Sequence, residues 1–427
     1  MIFRLMPGLK RIYHYKKSYI TGDLTAGIIV AILFIPQSMA YAIIAGVPLV
    51  IGLYAATLPL IVYALFGSSK YLSIGPVSIV SLLAFSGISS FAQPDSSYFL
   101  ELILLLGLIV GSIHLIMGLL KTGYFFDYIS PAVISGFTSA VAIIIALNQI
   151  KSLLGVSLPP YNDFFSYTLE IIKKLHETNP YTILIGIGSI CMLIIIKKTT
   201  SMSLGPLIVV IIYTLFVNFY ALQKKGVDIV GEIPKGLPEL SLNIPTLDII
   251  QLLLPIAFTI AFISFLESYA VVKTLAARDK EQINTNQELV GLGLANISSS
   301  LVGSIPVAGA ISRTAVNYQS GAKTNLSLLI TAACIIITLL FLTPLFHYLP
   351  KATLAAIIIL AVSNLINLKE ITLLLRTSPI NAVLLISTFL ATLLLNVFWG
   401  LLIGIGLSIF INMIRRTLFY TVDKNYK

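Results

Sequence analysis

From residue 22 to residue 415 the chain is a succession of apolar runs, separated by short breaks that hold most of the charge. A helix needs about 20 apolar residues to cross the hydrocarbon of a bilayer. Only 10% of the 427 residues are charged, whereas a soluble domain carries about 25%. So little charge cannot cover a water-facing surface, which excludes a soluble enzyme. The sequence therefore predicts an all-α polytopic membrane protein with about 14 segments, near 22–43, 48–66, 75–93, 98–120, 129–149, 181–197, 204–222, 250–272, 286–302, 307–318, 324–345, 350–366, 379–396 and 398–415. Spans 3 and 10 are the short or mixed ones, and each begins beside a proline. No cleavage pattern follows a short apolar core at the amino terminus, so span 1 reads as retained.

The net charge is +10, but its placement points to membrane orientation and not to nucleic acid. With 14 spans both termini share a side. Putting them in the cytoplasm leaves 19 of the 27 Lys and Arg residues inside and seven outside, six of these in the loops 150–180 and 223–249 and the seventh Lys351. Basic residues concentrate on the cytoplasmic side of membrane proteins. Arg313 belongs to neither side. Cys191 and Cys334 lie in apolar runs without metal or disulfide spacing, and buried packing is expected of both.

The chain echoes itself. Phe34-Ile35-Pro36-Gln37-Ser38-Met39-Ala40-Tyr41-Ala42 resembles Phe262-Ile263-Ser264-Phe265-Leu266-Glu267-Ser268-Tyr269-Ala270 at an offset of 228. At an offset of 230, Ser68-Ser69 falls on Ser298-Ser299 and Pro76-Val77 on Pro306-Val307. Span 1 thus echoes span 8, and span 3 echoes span 10. Seven spans separate the copies, and an odd number makes the copies point in opposite directions. Inverted repeats of this kind are common in secondary transporters; chance similarity between apolar segments is the alternative. The predicted layout is a cytoplasmic segment 1–21, a first repeat 22–222 (spans 1–7), an outer loop 223–249, a second repeat 250–415 (spans 8–14) and a cytoplasmic tail 416–427.

Two stretches break the apolar pattern: Ser73-Ile74-Gly75-Pro76-Val77-Ser78 and Gly303-Ser304-Ile305-Pro306-Val307-Ala308-Gly309-Ala310. Each reads as extended backbone followed by a half-helix with Pro near its first turn. Irregular backbone at membrane depth must be buried in protein or line a cavity. The free N–H groups and dipole of a helix start favour an anion, and two such starts would aim at one point. Two Pro-kinked helices are the alternative. Arg313, about two turns into the second half-helix, adds positive charge where charge is costly and usually functional; a structural ion pair or a side chain snorkelling to the cytoplasmic face are the alternatives.

Glu267 reads as the one acidic residue well inside a span. It could carry a proton on each cycle, neutralise Arg313 or face cytoplasmic water. Gln37 and Tyr41, one turn apart after Pro36, could donate hydrogen bonds to an oxyanion. Ser78 and Ser81 open span 3, and Ser312 lies in span 10. His114, alone in span 4, reads as helix packing. There is no P-loop, no His-Glu-x-x-His and no serine–histidine arrangement in a span, so neither ATP hydrolysis nor other enzyme chemistry is expected.

The runs Gly22-Asp23-Leu24-Thr25-Ala26-Gly27, Ile35-Pro36-Gln37-Ser38-Met39-Ala40-Tyr41-Ala42, Gly52-Leu53-Tyr54-Ala55, Phe66-Gly67-Ser68-Ser69-Lys70 and Ile74-Gly75-Pro76-Val77-Ser78 resemble the opening of the SulP family of inorganic anion transporters. Pro131-Ala132-Val133-Ile134-Ser135-Gly136-Phe137-Thr138-Ser139, Phe265–Ala270 and Ile305–Asn317 continue the resemblance through nearly the whole chain. It implies a seven-plus-seven inverted repeat with a core (spans 1–4 and 8–11) that slides against a gate (spans 5–7 and 12–14). It implies an anion site lined by Gln37, Tyr41, Val77, Ser78, Ala310, Ile311, Ser312 and Arg313, with Glu267 as the coupling acid.

Two departures stand out. Only residues 416–427 follow the last span, with no cytoplasmic STAS domain of the kind usual in that family. Val271 and Ile311 stand where sodium-coupled bicarbonate members place hydroxyl side chains, which disfavours a sodium site. The expectation is a secondary active transporter of a small inorganic oxyanion, sulfate ahead of bicarbonate, coupled to protons or exchanging anions. A homodimer in the lipid of a bacterial inner (plasma) membrane is expected, with no cofactor and no metal. A dicarboxylate carrier, a nucleobase-type permease of the same architecture, a passive anion channel and a membrane enzyme are the competing readings.

Overall fold

A computed structural model of the chain describes residues 5–94, 96–128, 130–159, 161, 163–199, 205–240, 245–363, 365–366, 368–395 and 397–425. Among the described residues, seven helices are long and apolar enough to cross a membrane, and five further apolar helices of 10–17 residues accompany them. Span 1 is Ile20–Ala45, span 4 Ser97–Leu119, span 5 Pro131–Leu154, span 6 Pro180–Thr199, span 7 Gly205–Phe219, span 9 Thr285–Leu301, span 12 Lys351–Ser363, span 13 Pro379–Leu394 and span 14 Val397–Asn425. Span 2 is interrupted between Leu49–Tyr54 and Leu58–Phe66, and span 8 runs on to Asp279 from Leu247. Span 11 begins as Leu326–Ile337 and finishes in a π turn, Thr338–Leu342.

Local sequence sets many of these ends. Span 1 stops at Gly46, whose φ of 68° is the left-handed cap conformation that glycine adopts without cost. Ser96 accepts a hydrogen bond from the Phe99 amide at 3.1 Å, and Asn284 from the Gln287 amide at 3.1 Å, so spans 4 and 9 each begin at a side-chain cap. Spans 4 and 9 then pack backbone to backbone. A Cβ on Gly111 would fall 2.7 Å from the Gly293 carbonyl oxygen, and one on Gly293 would fall 2.7 Å from the Leu115 nitrogen. Close approach through small residues is how helices associate where lipid removes the hydrophobic drive.

Two compact units emerge. The first is Met1–Gly123, Gln149–Ser157 and Lys174–Leu360; it holds spans 1–4 and 8–11, and spans 6 and 7 and most of span 12, expected in the gate, fall there too. The second is Tyr124–Asn148, Leu158–Lys173 and Ala361–Lys427. Its core joins Ala132 and Val133 of span 5 to Leu384 and Leu385 of span 13. It also contains two helices absent from the expected span list, Phe164–Lys173 and Leu368–Thr377. Each has ten residues, too short to cross a bilayer, and the apolar-run criterion therefore passes over them.

Four further expectations are corrected. The half-helices start at Ser78 and Ile311, not beside their prolines. Pro76 follows its strand, Ile74–Gly75, whereas Pro306 precedes its strand, Ala308–Gly309. The match of Pro76 with Pro306 is therefore not an equivalence of position. Arg313 is the third residue of its half-helix instead of lying two turns in. Finally, Cys191 is exposed, with its helix presenting apolar side chains outward, and Cys334 is half-buried. His114 is a packing residue as expected: it is buried, with Nε2 2.6 Å from the Ala261 carbonyl oxygen.

Candidate anion site at two crossed half-helices

Extended backbone inside a membrane protein leaves N–H and C=O groups that cannot turn to water, so each needs a partner. The two breaks supply one another. Ile74–Gly75 (β1) and Ala308–Gly309 (β2) pair antiparallel, Ile74 opposite Gly309 and Gly75 opposite Ala308. The Ala310 amide donates to the Ser73 carbonyl at 3.1 Å. Side chains take the groups the short pair cannot reach. The Ser73 amide donates to Thr314 Oγ1 at 3.0 Å, and the Gly309 amide to Ser268 Oγ at 2.8 Å. Asn296 is fully buried and acts as a third strand: its Oδ1 accepts from the Val307 amide at 2.8 Å while its Nδ2 donates to the Val307 carbonyl at 3.0 Å. Ser299 Oγ donates to the Ile305 carbonyl at 2.6 Å.

Each strand hands over to a half-helix, Ser78–Ile88 in span 3 and Ile311–Gln319 in span 10. The residues before them, Val77 and Ala310, are extended, and no side chain caps either start. The first amides engaged by their own helices are those of Ser81, which donates to Val77, and Thr314, which donates to Ala310. The earlier amides in each first turn have no acceptor within their helix. The pairing of β1 with β2 brings these two electropositive starts together, which is the juxtaposition the sequence predicted.

Arg313 lies between them. It has no solvent exposure. Its Nη1 donates to the Pro76 carbonyl at 3.0 Å, and its guanidinium carbon sits 4.0 Å from the ring centroid of Phe34. A cation over an aromatic face is favourable, more so when desolvated. Phe34 can lie there because residue 75 is glycine: a Cβ on Gly75 would fall 2.1 Å from Phe34 Cζ. Arg313 Nε and Nη2 are buried with no hydrogen-bond partner among the described residues.

The other expected residues gather with different degrees of closeness. Tyr41 and Glu267 are electrostatic neighbours of Arg313. Glu267 forms no ion pair with it within 4.0 Å among the described residues, and Glu267 Oε2 is buried without a partner. Gln37 is buried one turn before Tyr41 with Oε1 unpartnered, and Ser81 Oγ is likewise unpartnered. Val77, Ser78 and Ala310 are buried at the two helix starts. Ile311, at 49% exposure, is the open edge, together with Ser312. Glu267 is not the only acid buried near a span: Asp23 and Glu288 are more deeply buried, at 0% and 3% exposure. Sequence reading passed over Phe34, Asn296, Ser268 and Thr314. A buried-span Asn is itself a signal, since polar side chains within membrane helices are costly unless they bond.

Paired discontinuous helices from inverted repeats, here with a buried arginine at the start of one of them, are a layout found in secondary transporters. The chain belongs to the sulfate permease family, whose model matches residues 20–388. It is 39% identical over 414 residues to the chloroplastic sulfate transporter 4.1 of Arabidopsis thaliana, a match covering 95% of this chain and 60% of the relative. A probable sulfate transporter of Mycobacterium tuberculosis is 33% identical over 410 residues, covering 96% of this chain and 73% of the relative. The chain thus spans about 60% of the length of the plant transporter it matches. Among solved structures it superposes on SLC26A9 with a TM-score of 0.91 at 25% identity, covering 97% of this chain and 68% of that one. The transmembrane domain of the cyanobacterial bicarbonate transporter BicA shares the fold, with a TM-score of 0.78 at 24% identity over 92% of this chain and 98% of that one.

Proposed function

We propose that the chain carries a small inorganic oxyanion across the membrane as a secondary active transporter, with sulfate as its first substrate and proton movement through Glu267 as the coupled step. The observation that carries this reading is the pair of unpartnered donors, Nε and Nη2, on the buried guanidinium of Arg313. A buried charge with unmet donors is costly, and an oxyanion meets both. Charge count favours a dianion. Each uncapped helix start presents about half a positive charge. With the guanidinium the site holds about two positive charges when Glu267 is protonated. Ionisation of Glu267 would cancel one of them and weaken a dianion's hold, so proton uptake and sulfate binding favour each other.

Bicarbonate is the second reading, since a monoanion suits the site with Glu267 ionised and the BicA domain shares the fold. Translocation by elevator-type alternating access, a homodimeric assembly and a bacterial inner-membrane location with both termini cytoplasmic complete the proposal; the bias of Lys and Arg toward the terminal side supports the orientation.

The test is uptake of labelled sulfate, bicarbonate, chloride and fumarate by purified protein in liposomes, with and without an inward proton gradient. Sulfate uptake driven by that gradient is the expected result. Uptake of fumarate alone would assign a dicarboxylate carrier. Gradient-independent, non-saturating flux would assign a passive channel, and an absence of flux for all four anions would revive a nucleobase-type permease.

A further inference from the structure

The segment that leads into the first half-helix is held by a residue that lies outside every span. Ser68 and Ser69, six and five residues ahead of β1, are buried, and side chains take most of their polar groups. Ser68 Oγ donates to Glu288 Oε1 at 2.9 Å, and the Ser69 amide donates to the same oxygen. Tyr63 donates its hydroxyl to Glu288 Oε2 at 2.7 Å. Asn325 Nδ2 donates to the Ser69 carbonyl at 2.9 Å. Arg11 closes the ring: one guanidinium nitrogen donates to the Ser68 carbonyl and the other to Asn325 Oδ1 at 3.0 Å.

Arg11 arrives on a short helix, Pro7–Tyr13, that is seated against the membrane domain. A Cβ on Gly8 would fall 1.8 Å from the Ala64 carbonyl oxygen, and Gln287 Nε2 donates to the Leu5 carbonyl at 3.0 Å. Glu288 has no cation within 4.0 Å among the described residues. A buried carboxylate is tolerated when hydrogen bonds and a nearby opposite charge compensate it. Arg11 supplies that charge across Ser68, which both side chains bind.

We propose that Arg11 is a positioning residue for the anion site: by bridging Ser68 and Asn325 above Glu288 it fixes the register of residues 68–75, and so the placement of β1 against β2 and of the first half-helix. The amino-terminal helix is on this view part of the transport machinery. The claim extends the proposed function, because it says what holds the binding site in shape, and it is testable without transport.

The experiment compares wild-type protein with Arg11→Ala and Arg11→Lys, in detergent, by amide hydrogen exchange and by sulfate binding. Lysine keeps the charge but cannot bridge two acceptors in a fixed fork, and it serves where the alanine variant fails to fold. The expected result is faster exchange over residues 68–77 in the variants, with exchange in spans 13 and 14 unchanged. Sulfate affinity falls about tenfold in the alanine variant as pre-organisation is lost, and less in the lysine variant. Unchanged exchange over 68–77 in both variants overturns the proposal whatever the binding result. Wild-type protein that fails to bind sulfate counts against the substrate assignment alone, and the exchange comparison then decides the role of Arg11.

Discussion

Arg313 on the second half-helix reaches across the repeat to the carbonyl oxygen of Pro76 at 3.0 Å. That bond, with the Phe34 ring on one face of the guanidinium, fixes its plane and leaves Nε and Nη2 free. The arginine is therefore a strut between the two broken helices, and on the proposed function its two free nitrogens are the donor pair for the anion.

Replacing Arg313 removes both roles. Charge-assisted hydrogen bonds contribute roughly 1.5–3 kcal/mol each, so losing two of them in Arg313→Ala should weaken sulfate binding by roughly 100-fold or more. Arg313→Lys should recover little, since an ammonium cannot bond Pro76 and present a fork at once. Isothermal titration of sulfate measures both; equal affinity in the alanine variant would remove Arg313 from the site.

Glu267→Gln keeps the shape of the protonated acid and abolishes its titration. Sulfate binding should persist, while uptake loses its dependence on an inward proton gradient. Liposome flux at fixed sulfate and varied external pH measures this, and an unaltered pH profile in the glutamine variant would exclude Glu267 as the coupling group.

Gly75→Ala pushes a methyl group into the Phe34 ring, where a Cβ would sit 2.1 Å from Cζ. Overpacking of this kind costs about 1–3 kcal/mol, and it also drives the ring away from Arg313. A lower melting temperature together with weaker sulfate binding is expected. Phe34→Leu should relieve the clash in the double variant and restore the melting temperature without restoring affinity.

Asn296→Ala strands the amide and the carbonyl of Val307 in a buried site. Each unsatisfied group costs about 1–3 kcal/mol, so the loss should exceed that of a surface substitution several-fold. Asn296→Asp keeps the acceptor for the Val307 amide but loses the donor, and should still be destabilised. Thermal melts of both variants, set against Ser312→Ala at the exposed helix start, measure the difference.

Glu288 and Phe34 show why part of the site was illegible in the linear chain. Glu288 lies three residues from the start of span 9, where an acid ordinarily complements the helix dipole and faces water. Only the return of Ser68 and Tyr63 from span 2 buries it. Phe34 is one apolar side chain in a span full of them, and nothing local distinguishes a ring facing lipid from a ring facing a guanidinium. Arg313 was legible because a lone cation at membrane depth is anomalous by itself.

The sequence alone determined the membrane class, the order of the spans, the two breaks and the inverted relation of the halves. Transfer of a side chain into lipid is a local quantity that sums along the chain, so hydropathy and the odd spacing of the repeat report it directly. Which amide meets which acceptor was decided only in three dimensions. Ser73 with Thr314, Gly309 with Ser268 and Arg11 with Ser68 are partners far apart in the chain. Hydrogen bonds are satisfied one by one in space, and no periodicity along the chain encodes the partner.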